Sequence, residues 1–156
     1  NPELDIWIDV HEFLELVQAG QRFAAAKQIE QASSAYYRAE ELYQGCFLQD
    51  DLYEEWTHVH RERLQTLFIN MLEWQIEQAI ASARHAEVIA LAQKLLQHDP
   101  AYECAHCQIM QAYVALGLRH RAIKQFQICK EQLREAYDLK PSSQTVALYQ
   151  TIVQST

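Results

Sequence analysis

The chain has 156 residues, the length of one ordinary domain, and 49% of them are apolar, so a core can form without disulfide or metal staples. Its formal charge is −8, with 13 basic residues scattered among 21 acidic ones, and no basic cluster offers the phosphate-neutralising surface of a nucleic-acid binder. No apolar run approaches the ~20 residues that span a bilayer, no charged-then-apolar signal segment opens the chain, and three Gly with three Pro do little to interrupt helices.

The start, Asn1-Pro2-Glu3-Leu4, lacks an initiator Met, as expected of an excised fragment. Leu4, Ile6 and Ile8 alternate with polar residues up to Val10, a strand pattern. One strand cannot stand alone, so residues 1–9 are expected to be the remnant of a preceding domain or a linker. Everything from residue 10 to 154 reads as one helical domain.

Asp9 is placed to cap a first helix from Val10 to about Phe23, with Phe13, Leu16 and Val17 inward. A second helix is expected over Ile29–Tyr43, where Ala32, Tyr36, Ala39 and Tyr43 form one stripe, ended by Gly45 in the left-handed conformation. Residues 46–51 form a connection. A long helix from about Tyr53 to Ala81 carries Leu64, Leu67, Met71, Ile76 and Ala79, and breaks at Arg84-His85. Ala86–His98 follows, closed by Asp99-Pro100 because the residue before proline avoids the helical region. Then come Glu103–Leu116, stopped at Gly117, a helix from His120 to about Tyr137, and a last one from the Ser142 cap to Val153.

These helices repeat. Ile76, Ala79, Val88, Ala92 and Leu95 recur 34 residues later as Met110, Tyr113, Ala122, Phe126 and Cys129, and 34 is the period of the tetratricopeptide helix–turn–helix unit. A small residue (Val88, Ala122) lets the second helix of a pair approach the first, and the position four residues on fills the space toward the next pair. Ala32, Tyr36 and Ala39 give the same triplet earlier, 56 residues before Val88, so the long helix and its preceding connection absorb an extra 22. Two positions depart from the repeat: Arg134 stands at the closing proline and Ala83 at the turn glycine. The fold class expected is all-α, a tetratricopeptide-like right-handed helical repeat array of about seven helices with a short N-terminal strand remnant.

Ala39-Glu40-Glu41-Leu42-Tyr43-Gln44-Gly45-Cys46-Phe47-Leu48, followed by Asp50-Asp51, Trp56 and Arg61-Glu62-Arg63-Leu64, resembles the signature of the bacterial transcriptional activator domain. Asp99-Pro100, Glu103, His106 and Met110 continue the resemblance, as do Gly117, Ala122, Phe126 and Leu133, then Pro141-Ser142, Thr145 and Leu148-Tyr149. The ordered set covers about Asp9 to Val153. This family is the helical effector domain of streptomycete-type antibiotic regulatory proteins and related regulators, where it usually follows a winged helix-turn-helix DNA-binding domain. The resemblance implies a cytoplasmic transcription-regulator module that mediates dimerisation or contacts with other proteins. It also implies that Trp7–Phe13 is the passage out of a wing hairpin, and that DNA is met through that missing winged-helix domain rather than through this fragment.

Candidate chemistry is sparse. Cys104-Ala105-His106-Cys107 is the one sequence suggestive of a metal, but zinc knuckles come as paired ligand sets, and the other thiols, Cys46 and Cys129, are neither paired nor near. All four cysteines suit reduced thiols in a cytosol. His58 and His60 beside Glu54, Glu55 and Glu62 read as a solvated, mixed-charge helix face. No phosphate-binding Gly loop or nucleophile–base motif is present. The chain is therefore expected to be non-catalytic and to need no metal or cofactor. In a tetratricopeptide array the first helix of each pair lines the concave face, which places Asn70, Glu73, Glu77, Cys107, Gln108 and Gln111 along a partner-binding groove suited to a polar or basic peptide. Two other readings stand beside the regulator domain: a stand-alone tetratricopeptide adaptor or co-chaperone, and a small all-α enzyme or metal sensor built on Cys104, His106 and Cys107.

Overall fold

The structure, a computed structural model, describes residues 2–46 and 56–155, with side chains over 10–43 and 60–155. The order is α1 (Pro2–Ala25), α2 (Ile29–Cys46), α3 (Trp56–Ala81), α4 (His85–His98), α5 (Glu103–Ala115), α6 (Arg119–Tyr137) and α7 (Ser143–Gln154). No strand occurs among the described residues.

The N-terminal strand is corrected to helix: α1 begins at Pro2 and runs through Val10 without a break. Leu4, Trp7 and Ile8 also satisfy the i, i+3, i+4 spacing of a helix, and a short apolar run reads both ways. Proline's fixed φ and missing N–H suit a first helical position. Asp9 accordingly lies inside α1 rather than capping it. Gly45 is corrected as well, since α2 continues through it to Cys46; one glycine near a helix end costs only about 1 kcal/mol. The expected connection beyond Cys46 and the helix start at Tyr53 fall outside the described residues.

Three turns share one construction. Lys27, Ala83 and Gly117 adopt positive φ of 58°, 53° and 76°. At each, the left-handed residue donates to the carbonyl three back (Ala24, Ile80, Val114) and the next residue donates to the carbonyl five back (Phe23, Ala79, Tyr113). This is the Schellman ending, which satisfies the last carbonyls of α1, α3 and α5. Ala32, Val88 and Ala122 then donate to Gln28, Arg84 and Leu118, opening the next helix in the same register. The repeat seen in the sequence is therefore a repeat of turn geometry. The inter-pair links differ: Asp99 accepts from the Ala101 amide at 3.2 Å, and Ser142 caps α7 by accepting from the Thr145 amide.

The chain divides into two compact units, one reaching Met71 and one beginning at Leu72, so the division falls within α3. In the first unit Phe13, Val17, Ala32, Tyr36, Ala39 and Tyr43 are buried between α1 and α2. Tyr43 stacks on Phe68 with centroids 4.1 Å apart and touches Phe13 at 5.7 Å. Gly20 on α1 lies under the Tyr36 ring so closely that an added Cβ would meet it at 2.3 Å.

In the second unit the positions matched by the 34-residue period are the interior. Ile76, Ala79, Val88, Ala92, Leu95, Met110, Ala122, Phe126 and Cys129 are buried, and Tyr113 packs against their cluster. Phe126 stacks on Tyr149 of α7 at 4.0 Å. Ile152 closes the same cluster, and Arg119 donates through Nε to its carbonyl at 2.8 Å, a cation at the negative end of α7.

Candidate interaction face on α5

The first turns of α5 and the residue before them carry several polar fastenings of the second unit. Tyr102 donates its hydroxyl to the Glu73 carboxylate on α3; burial, and then that carboxylate, push the phenol well above its usual range. Glu103 accepts from the Ser142 amide at 2.7 Å and from the Thr145 hydroxyl. Burial alone would raise the Glu103 carboxyl, but these bonds outweigh it and hold it below the ordinary value. Thr145 spends its only proton on Glu103, so the Cys107 thiol, 3.2 Å from Thr145 Oγ1, is the donor in their contact.

His106 turns the other way. It is 1% exposed, lies 2.8 Å through Nε2 from the Pro100 carbonyl, and 2.7 Å through Nδ1 from Gln125 Nε2 on α6. The carbonyl can only accept and the amide nitrogen only donates, so Nε2 carries the proton and the ring is neutral. Burial lowers its pKa further. Cys129, at a repeat core position, is fully buried, and burial pushes its thiol up to about 12.

The residues expected to line the groove divide between these roles. Glu73 is occupied by Tyr102 and Cys107 by Thr145. Glu77 and Gln111 are exposed, and Gln108 is half-buried with its Oε1 shut in and without a hydrogen-bond partner. Asn70 is exposed and belongs to the first unit. Cys104, which the expected groove set does not include, is exposed, and burial, Cys107 and the Glu73 and Glu77 carboxylates all raise its thiol. Both acids therefore bear on the same patch. The i, i+3 spacing to Cys107 and i+4 to Gln108 could have placed Cys104 there. Among the described residues no three His, Cys, Asp or Glu side chains gather as metal ligands. Glu54, Glu55 and the His58 side chain lie outside the described part.

A family model, bacterial transcriptional activator domain, matches residues 8–153. The chain belongs to that family. The match runs from within α1 to within α7, so the bacterial transcriptional activator domain is nearly the whole chain. No curated protein and no solved structure matches it significantly. The residues that carry the resemblance in this activator domain are largely packing and fastening groups: Ala39, Tyr43, Leu64, Met110, Ala122, Phe126 and Leu133 are buried, Glu103 and Thr145 hold α7, and His106 ties α5 to Gln125. No helix among the described residues is long and apolar enough to cross a membrane.

Proposed function

We propose that this activator domain is the non-catalytic interaction module of a cytoplasmic bacterial transcription regulator, working by self-association or by contacts with other regulators and the transcription machinery. The family match over residues 8–153 carries this reading. DNA contact would fall to a winged-helix domain of the same regulator, in keeping with a charge of −8 here. The working surface is the exposed face around Glu77, Cys104, Gln108 and Gln111, with Glu73 as a further member. Glu77 and Gln111 stand exposed on it, apart from the bonds that tie Tyr102 to Glu73, Glu103 to α7 and His106 to Gln125.

In the full-length regulator, Glu77→Lys with Gln111→Ala is expected to cut transcriptional activation at least tenfold while circular dichroism stays unchanged. Undiminished activation by that variant would remove this face from the function. A second reading, a stand-alone adaptor that captures a basic peptide, is favoured by the convergence of Glu73 and Glu77 on one patch. Light scattering over a concentration series separates the two: a dimer supports assembly, and a strict monomer supports peptide capture.

A further inference from the structure

Cys104 and Cys107 are both free thiols, one exposed and one half-buried, three residues apart in the first turns of α5. Helix geometry sets such Cα atoms about 5 Å apart, inside the roughly 4.4–6.8 Å that a disulfide bridges. His106 between them points into α6 and does not intervene. Cys107 is also the thiol that donates to Thr145, the residue through which Glu103 and Ser142 hold the first turn of α7. We propose that Cys104 and Cys107 are a redox pair that closes into an intrahelical disulfide and, in closing, releases the thiol that fastens α7. Its regulatory meaning rests on the reading of this face as the working surface; its chemistry does not.

The oxidant is a small-molecule disulfide. Cys104, the accessible thiol, loses its proton to solvent and attacks one sulfur; the disulfide bond breaks and one small thiolate leaves. Cys107 then loses its proton and attacks the Cys104 sulfur of the mixed disulfide, expelling the second thiolate. Two protein thiols are oxidised and one disulfide is reduced to two thiols. Cys107 then has no S–H to give Thr145, and its sulfur is drawn along α5 away from α7. Burial and the nearby acids keep both thiols protonated at neutral pH, so closure is slow at pH 7 and accelerates toward pH 9.

The test equilibrates the full chain with oxidised and reduced glutathione and reads intact mass, mapped peptides and amide hydrogen exchange. The expected result is a reversible loss of two hydrogens within one chain, joining Cys104 to Cys107. It should be absent in Cys104→Ser and in Cys107→Ser, the latter keeping a hydroxyl donor for Thr145. Exchange in the first turn of α7 should rise about fivefold on oxidation, the worth of one hydrogen bond, and stay level in Cys107→Ser. A lasting glutathione adduct on Cys104, or a crosslink between chains, overturns the pair. A closed disulfide that leaves α7 exchange unchanged overturns the release. If the disulfide closes and loosens α7 while activation by the full-length regulator is unaffected, the pair stands and the assignment of the working surface fails.

Discussion

Lys27, Ala83 and Gly117 hold one backbone conformation with three different side chains. A Cβ in the left-handed region costs roughly 1–2 kcal/mol, which glycine escapes. Ala83→Gly is accordingly expected to stabilise the protein by about 1 kcal/mol, raising the melting temperature roughly 2–4 °C, and Gly117→Ala to lower it by a similar amount, both read by thermal denaturation. The missing turn glycine at position 83 was visible in the sequence because the period marks where one belongs. Gly20 was not. Its role comes from the Tyr36 ring lying across it, a contact between two helices that no local pattern announces. Gly20→Ala should cost about 1–3 kcal/mol as an overpacked site, measured by urea denaturation, with Tyr36→Leu in the same background recovering part of the loss.

Among the elements, α5 carries the acid sensitivity. His106 and Glu103 both have folded pKa values below their ordinary ones, so for each the unfolded chain takes up its proton at a higher pH than the folded one. The stability they contribute is complete above the unfolded values and falls with decreasing pH. The His106 loss begins below about 6.5 and the Glu103 loss below about 4.5. Urea denaturation across pH 2.5–8 should show stability falling through both windows, and His106→Gln should flatten the upper one. His98, also lowered by burial, adds with the same sign, and His98→Gln separates its share. Four of the helices, α4 to α7, were legible to within a residue or two, because proline, Ser142 and the turn signals at Ala83 and Gly117 punctuate them. The fastenings were not legible. Glu103 reaches partners 39 and 42 residues further along the chain, a distance at which sequence spacing carries no information. The Cys104–Cys107 segment drew attention as metal-like, whereas its middle histidine is a neutral core group.

For the molecule as a whole, the period of 34 identified the interior of the second unit because stacked pairs must bury the same positions again and again. It said less about the first unit, where the triplet Ala32, Tyr36, Ala39 stands 56 residues from its counterpart and Phe68 joins Tyr43 from the long helix. The alternation near the N-terminus misled because seven residues are too few to separate a period of 2 from one of 3.6. Phe68→Ala should raise hydrogen exchange in α1 and α2, and Phe126→Ala in α6 and α7, each removing about 3–5 kcal/mol of packing from its own unit. A uniform rise along the chain in either variant would contradict two compact units.

The three identical turns give the backbone the look of interchangeable parts, but the side chains that lock α5 are used once. The position 34 residues before Glu103 is Ile69, and that before His106 is Leu72; neither could form the bonds described. A duplicated 34-residue cassette would thus inherit the apolar seam and lack the polar locks, stacking readily but without a fixed partner for α7. Growth of this architecture by gene duplication would then be tolerated ahead of α5 far better than after it, and variation in repeat number should gather on that side of the domain.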